Sequence, residues 1–485
     1  MLLGFVLLYL AASVAIGLLA ARKVHNTTDY AVAGRSLPLP MVVATTFATW
    51  FGSETVLGIP AIFIVSGLGG TVEDPWGAGL CLVLVGVFYA RRLYRMSLLT
   101  VGDFYRRRYG RVVEVFCSAV SILSYLGWVA AQVTALGLVF EVLSGGAITG
   151  LQGSLIGMAA VLLYTLFGGM WSVALTDSLQ MTVIVIGLTV IAVISGQMAG
   201  GPSVVLERVA SDGLLRFLPP ADFHEIVFFI GAGVTIMLGS IPQQDVFQRV
   251  TSARDEQTAA VGPVIGGLAY MAFSVVPMFI VASALIISPE GAAAHLETDP
   301  EKILPALILD RMPPFTQVLF FGALLSAIMS TASATILAPS TIFVQNIMRH
   351  LLPSMTDRQE LRLMRGAVLM FSVGVLVYAL AMHDKSIYEL VSSSYQIPLV
   401  GAFVPLTAGL YWRRATNRGA VSSLALGVGV WILFFSTTLG GVFPSQLAGL
   451  LAAVVGMIVG SLLLGGPNPQ LGPGVTPVDD PPAPE

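Results

Sequence analysis

Apolar residues run through this chain in long, almost uncharged stretches separated by short polar loops. Thirteen stretches reach the roughly 20 residues that cross a bilayer as a helix. They fall near 2–21, 38–66, 74–94, 112–142, 148–172, 175–199, 224–244, 258–288, 315–345, 363–382, 387–411, 419–440 and 444–465. The second carries Phe47-Ala48-Thr49-Trp50-Phe51-Gly52-Ser53-Glu54, with Gly58 and Pro60 close behind. A carboxylate at mid-membrane depth costs about 2.5–3.5 kcal/mol unless it faces water, protein or a ligand. With Gly and Pro beside it, the pattern predicts an interrupted helix whose freed carbonyls could hold an ion. A second interruption, Met237-Leu238-Gly239-Ser240-Ile241-Pro242-Gln243-Gln244-Asp245, lies five spans further on. Two broken helices in matching positions point to a secondary transporter.

Composition agrees with a membrane solvent. The chain is 56% hydrophobic and only 11% charged, against about 25% charged in soluble domains. Charge then sets the predicted orientation. With the N-terminus outside, nineteen of the 24 Lys and Arg residues fall in cytoplasmic loops, and only Arg208, Arg216, Lys302, Arg311 and Lys385 do not. An even number of spans would spoil that alternation. Arg22-Lys23 follows the first apolar run instead of preceding it, which is the charge order of an uncleaved helix, not a signal peptide. The run Arg106-Arg107-Arg108 reads as a topology anchor against anionic headgroups, not a nucleic-acid patch. Cys81 and Cys117 fall inside spans and carry no pairing signal.

Weak internal symmetry places two five-helix repeats at 38–199 and 224–411, joined by an extracellular loop at 200–223. Residues 1–37 form the first helix and a cytoplasmic loop. Residues 412–465 supply two further C-terminal helices, and 466–485, rich in Pro and Gly, read as a disordered cytoplasmic tail. The fold class is therefore an all-α integral membrane protein of about thirteen helices with two broken ones. No GxxxxGK[ST] phosphate loop, GxSxG nucleophile motif or metal-spaced histidine pair occurs. ATP-driven transport within this chain and the common membrane enzymes are disfavoured.

A monovalent cation in a dry site needs several oxygens with little net charge. Ser330 and Thr331, in Ser326-Ala327-Ile328-Met329-Ser330-Thr331-Ala332-Ser333, offer hydroxyls. Ala327, Ala48 and Phe51 offer carbonyls. The plainer account of the same run is close helix packing through small residues at i and i+4. Glu54 suits a cationic solute, a bound proton, or a neutral acid against a carbonyl. Asp177, at the start of a span, suits the helix dipole and a cap without any ion. Asp245 reads as a solvated end residue paired with Arg249. Trp50 and Trp128 could stack on a quaternary ammonium, or simply pack. Ser392-Ser393-Ser394-Tyr395-Gln396 is a further polar lining.

Several strings, in order, resemble the sodium:solute symporter family: Ala33-Gly34-Arg35-Ser36-Leu37, Phe47-Ala48-Thr49-Trp50, and Tyr164-Thr165-Leu166-Phe167-Gly168-Gly169-Met170-Trp171 running on to Asp177. Ile241-Pro242-Gln243-Gln244 with Phe247-Gln248-Arg249-Val250, then Ala327-Ile328-Met329-Ser330-Thr331, and Leu410-Tyr411-Trp412-Arg413-Arg414 continue the series. The resemblance implies a five-plus-five inverted-repeat fold of the leucine-transporter type and coupling to Na+. It places the family's sodium site on Ala48, Phe51, Ala327, Ser330 and Thr331, and its inner ion path on Asp177. Proline-type members carry an aspartate where Trp50 stands. The Ala-Thr-Trp string, Trp128 and the Phe-Gln-Arg-Val string resemble the high-affinity choline transporter branch, which has a tryptophan where this chain has Gln243.

The expectation is a sodium-coupled symporter in the cell membrane (the inner membrane in a bacterium), N-terminus outside and C-terminus cytoplasmic. Its partners are a small organic solute, cationic or zwitterionic and choline-like, the sodium ion and the lipid bilayer. Thr49, Trp50, Glu54, Trp128, Gln243 and Gln244 are the expected solute contacts. The alternatives are proton coupling through Glu54 and a transporter-like solute sensor.

Overall fold

Backbone N–H and C=O groups in a bilayer must be paired within the segment that carries them. In a computed structural model that describes residues 2–465 apart from His383, the described chain is accordingly helical, with one isolated β-bridge between Leu37 and Ala253. In chain order the membrane-length elements are α1 (Leu2–Ala20), the bent pair α2 (Leu39–Trp50) and α3 (Glu54–Gly70), α4 (Val72–Arg95), α5 (Arg111–Leu143) and α6 (Gly150–Met198). A second bent pair follows, α7 (Phe223–Gly239) and α8 (Gln244–Ser252). Then come α9 (Glu256–Ile287), α10 (Pro314–Leu351), α11 (Asp357–Ala381), α12 (Ile387–Tyr411), α13 (Asn417–Phe435) and α14 (Ser445–Leu463).

Ten of these helices are long and apolar enough to cross a membrane singly, and counting each bent pair as one span gives twelve. The remaining span is inside α6. Its 49 residues would extend about 73 Å at 1.5 Å per residue, more than twice the hydrocarbon thickness. Gly169 breaks it with φ 49° and ψ −138°. A Cβ there would strike the carbonyl of Tyr30, so glycine serves both the positive φ and the close approach. Two spans fall either side of this break, as the sequence predicts for 148–172 and 175–199, and the total among the described residues is thirteen. Asp177 is thus eight residues inside the second half, fully buried, and not at a helix N-terminus.

The two interruptions bend their helices by 58° and 45°. α10 is the most enclosed helix, with every side chain from Ala323 to Ile342 buried, and it packs on α6, α5 and α2. Its run of Ala, Ser and Thr lets those backbones approach closely. The basic loops gather at one end of the bundle. There Arg35 donates to Leu98 O (2.9 Å), Arg92 to Leu410 O (3.0 Å) and Arg108 to Ala415 O (2.7 Å), and Arg95 pairs with Glu256 (2.8 Å). Loop 200–223 is tied elsewhere: Leu68 N–H donates to Leu214 O and Gly69 N–H to Arg216 O. One basic residue departs from the expected pattern. Arg249 is 1% exposed inside the protein, because its guanidinium is held by internal oxygens. Residues 466–485, expected to be a disordered tail, lie outside the described residues.

Candidate functional site

The first break is made where α2 stops at Trp50. Phe51 leaves the helix at φ −91°, ψ 67°, and the chain resumes at Glu54 in a widened turn, Glu54–Gly58. α10 crosses this break. Thr331 donates its hydroxyl hydrogen to the carbonyl of Thr49 at 2.7 Å, and Ser330 donates to Asp177 Oδ1 at 2.6 Å. Asp177 Oδ2 accepts from Thr45 and, at 3.5 Å, from Thr49. Ala48, Phe51, Ala327, Ser330, Thr331 and Asp177 are all fully buried. The expected sodium donors are therefore enclosed at the crossing of two helices, with hydroxyls from α10 set against the opened end of α2. Such a neutral oxygen set beside one carboxylate fits a monovalent cation.

Gly52 occupies the tightest point of the break. A Cβ there would lie 2.7 Å from Thr331 Oγ1 and run into the Glu54 carboxylate. Glu54 and Thr331 thus face the same small space. Glu54 Oε1 accepts from Trp128 Nε1 (3.0 Å) and Oε2 from Gln132 Nε2 (2.8 Å), while Gln132 Oε1 accepts from Ser53 N–H (3.0 Å). Carboxylate, amide and indole form a closed relay between the break and α5.

Around Trp128 the aromatic rings converge. Trp50 meets Trp128 edge-on at 5.6 Å and stacks on Tyr395 at 6.3 Å. Trp128 also lies 5.5 Å from Tyr395 and 6.3 Å from Tyr125. The Trp50 Nε1–H and the Tyr395 hydroxyl are buried without a hydrogen-bond partner. Four electron-rich rings and a carboxylate in one place form the chemistry that attracts an organic cation.

The second break, Ser240 to Gln243, adjoins this cluster, with Gly239 packed against the Tyr395 carbonyl. Gln243 Nε2 donates to Ser124 Oγ (2.7 Å), and its Oε1 has no partner. Gln244, expected to touch solute, is turned away. Its Oε1 accepts from Val101 N–H (2.9 Å) and its Nε2 donates to Leu99 O (3.2 Å), so it ties α8 to the loop before the short helix Val101–Tyr109. Asp245 is fully buried and accepts from Tyr125 OH at 2.6 Å, contrary to a solvated end residue. Arg249 donates to Asp245 O (2.6 Å) and to Thr49 Oγ1 (2.5 Å). Thr49 is consequently shared by Arg249, Asp177 and Thr331, and it joins the two breaks instead of lining open space.

The structure thus brings together Thr49, Trp50, Glu54, Trp128, Gln243 and the five sodium candidates, and leaves Gln244 apart. Tyr395, of the expected polar lining, joins the ring cluster, and the structure adds Tyr125, Gln132, Thr45 and Arg249. Tyr125, Trp128 and Gln132 stand at i, i+3 and i+7, the spacing of one helix face; that periodicity was a usable signal.

Residues 30–427 match the sequence profile of the sodium:solute symporter family. The human high affinity choline transporter 1 is 28% identical over 412 residues, covering 82% of this chain and 69% of that protein. The sodium/pantothenate symporter of Haemophilus influenzae is 24% identical over 451 residues, covering 89% of this chain and 90% of that one. Among solved structures, a substrate-bound, outward-open Na+-coupled sialic acid symporter superposes with a TM-score of 0.82 at 20% identity, covering 97% of this chain and 99% of that chain. That likeness carries the fold, the leucine-transporter type with its five-plus-five inverted repeat and two broken helices. Family and structural neighbour alike are transporters. The family profile spans most of the sequence and both breaks, and the chain belongs to the sodium:solute symporter family.

Proposed function

We propose that this protein is a sodium-driven importer of a small organic cation or zwitterion with a choline-like ammonium head. The observation that carries this reading is the ring cluster Trp50, Trp128, Tyr125 and Tyr395 around an indole N–H that Glu54 accepts. A cation over an aromatic face gains about 0.5–2 kcal/mol per contact, most when desolvated, and the buried carboxylate adds charge. The choline transport of distant relatives agrees with that chemistry. Gln243, standing where the choline branch has a tryptophan, leaves room for Tyr395 to serve as the remaining wall.

Sodium binds to Ala48, Phe51, Ala327, Ser330 and Thr331 and holds α2 against α10. Separation of those helices in the inward-opening step releases it past Asp177. The gathered basic loops are cytoplasmic, which puts the N-terminus outside, and the two five-helix units span 38–199 and 224–411. Thermal unfolding in sodium against potassium, scanned over choline, betaine, amino acids, sugars and carboxylates, tests the reading. A ligand at a hundred times its dissociation constant adds about 2.7 kcal/mol. A sodium-dependent shift enlarged by choline or betaine is the expected result; a shift with a sugar or carboxylate alone would overturn the solute class.

Proton coupling through Glu54 is the second reading, favoured by its burial without an ion-pair partner among the described residues. It predicts pH-driven uptake in sodium-free buffer that Glu54→Gln abolishes.

A further inference from the structure

The end of the bundle where the basic loops gather carries a groove that plays no part in the ion and solute sites. Three helices build its walls. α1 ends at Ala20 and runs into the turn Ala21–Lys23, which sets Arg22 and Lys23 directly after an apolar helix. α6 is tied to α1 by Ser172, which donates to Gly17 O, and presents Phe167 just before the break at Gly169. α11 supplies Arg365, whose guanidinium donates to Phe167 O (3.4 Å) and lies 5.8 Å from the Phe167 ring. Leu18, Ala21, Arg22, Phe167 and Arg365 line a groove of about 430 Å³. The short helix Thr27–Val32, packed on α6 and α11, leads from it to Arg35 among the gathered basic loops.

The protein leaves the positive charge of this groove unbalanced. Among the described residues, Arg22, Lys23 and Arg365 form no ion pair with Asp or Glu. The carboxylates nearest along the chain are engaged elsewhere. Asp29 accepts from His25 N–H and Asp357 from Thr27 N–H, each at 3.1 Å, and Glu360 accepts from the Gln345 amide. Lys23, next to Arg22, is held 4.2 Å over the Trp171 ring of α6. Arg365 Nε is closed to solvent without an acceptor, and a buried donor left unpaired is unfavourable until something accepts from it.

The other half of the groove is apolar and faces outward. Leu18 is 37% exposed and Phe167 42%, and Leu8 and Leu19 continue the exposed apolar surface of α1. In a bilayer these side chains meet acyl chains. A free anion could pair with the two guanidinium groups, but it would leave Leu18 and Phe167 uncovered. Basic pockets between membrane helices, at the end that carries the basic loops, are the places where anionic headgroups bind.

We propose that this groove binds an anionic phospholipid, with its phosphate between Arg22 and Arg365 and an acyl chain along Leu18 and Phe167. The guanidinium fork suits phosphate oxygens, which accept two parallel N–H bonds. The bound lipid joins the ends of α1, α6 and α11. Its site is independent of which ion or solute the protein carries.

Native mass spectrometry of the purified full-length protein in detergent, titrated with phosphatidylglycerol or phosphatidylethanolamine, tests the site. One phosphatidylglycerol is expected to stay bound under conditions that strip phosphatidylethanolamine. Each guanidinium removed should weaken that lipid about fivefold, so Arg22→Gln/Arg365→Gln should weaken it about twenty-five-fold. Arg413→Gln/Arg414→Gln takes the same charge from an exposed loop before α13 and should leave binding unchanged. The Arg22 side chain makes no hydrogen bond among the described residues, so Arg22→Gln alone reports on binding even where the double variant does not fold. Unchanged retention in Arg22→Gln and in the Arg22/Arg365 pair would overturn the site. Equal losses in the two double variants would overturn it too, as diffuse surface charge. Equal retention of both lipids would overturn recognition of an anionic headgroup. Displacement of the lipid by inorganic phosphate would make the groove a site for the free anion and overturn the lipid.

Discussion

Ser330, in the middle of α10, donates its hydroxyl hydrogen to Asp177 of α6 across 2.6 Å, with both residues sealed from solvent. The carboxylate on the expected exit path is therefore bonded directly to an expected sodium donor. Asp177→Asn keeps an acceptor for Ser330 and removes the charge. It is expected to raise the sodium concentration for half-maximal binding about fivefold, close to 1 kcal/mol, with little change in melting temperature. Asp177→Ala strands the hydroxyls of Ser330 and Thr45, and should cost about 1–3 kcal/mol of stability besides. Sodium titrations and melting curves of the two variants side by side separate charge from structure.

The aromatic cluster predicts a difference between charged and neutral ligands. Trp128→Phe retains a ring and loses the indole N–H that Glu54 accepts; Trp128→Ala loses both. Choline affinity should fall about two- to thirtyfold in the alanine variant, the worth of one cation–π contact. The uncharged isostere 3,3-dimethylbutanol should bind the wild type weakly and be affected far less. Equal losses for both ligands would mean the ring only packs.

Gly52 should tolerate no side chain. The added methyl of Gly52→Ala meets Thr331 Oγ1 and the Glu54 carboxylate, and overpacking of this kind costs about 1–3 kcal/mol. Because both obstructing groups belong to the break, the variant is expected to reach the membrane and lose sodium-dependent uptake. Surface labelling with a paired uptake assay checks this.

Much of this arrangement was legible in the sequence because a bilayer forbids most alternatives. Glu54, Gly52 and Pro60 in one apolar run pointed to a break, and the hydroxyl pair Ser330-Thr331 was legible as a candidate ion ligand beside its plainer reading as close helix packing. Other parts depend on three-dimensional neighbours that hydropathy does not encode. Arg249 reads as a loop cation because it follows an apolar run, yet Thr49 and the Asp245 carbonyl hold it inside. Gln244 sits beside Gln243 in the string, but the helix starting there turns the two side chains to different partners. Asp74 stands at the predicted start of the span 74–94 and draws no reading of its own, and only the approach of Tyr270 from α9 shows that it is enclosed.

Outside the membrane spans, Glu301 predicts a pH dependence. It accepts the Ile387 N–H at 2.8 Å and so docks the loop after α9 onto the start of α12. Burial raises its pKa to about 7, against the lowering effect of that hydrogen bond. A carboxyl raised in the folded state contributes its full stability below the unfolded value, near 4.5, and loses it as pH rises through about 7. After allowance for its partial exposure the effect is about 1–2 kcal/mol. Melting temperature should fall between pH 5 and pH 8, and Glu301→Gln should flatten that part of the profile.

The claim on which the account turns is that Ser330 and Thr331 hold sodium. Solute uptake into proteoliposomes, measured against external sodium for the wild type and the Ser330→Ala/Thr331→Ala variant, addresses it directly. The account predicts that the half-saturating sodium concentration rises about tenfold or more, a loss of at least about 1.4 kcal/mol, while the protein still inserts and folds. An unchanged sodium dependence in that variant would contradict it.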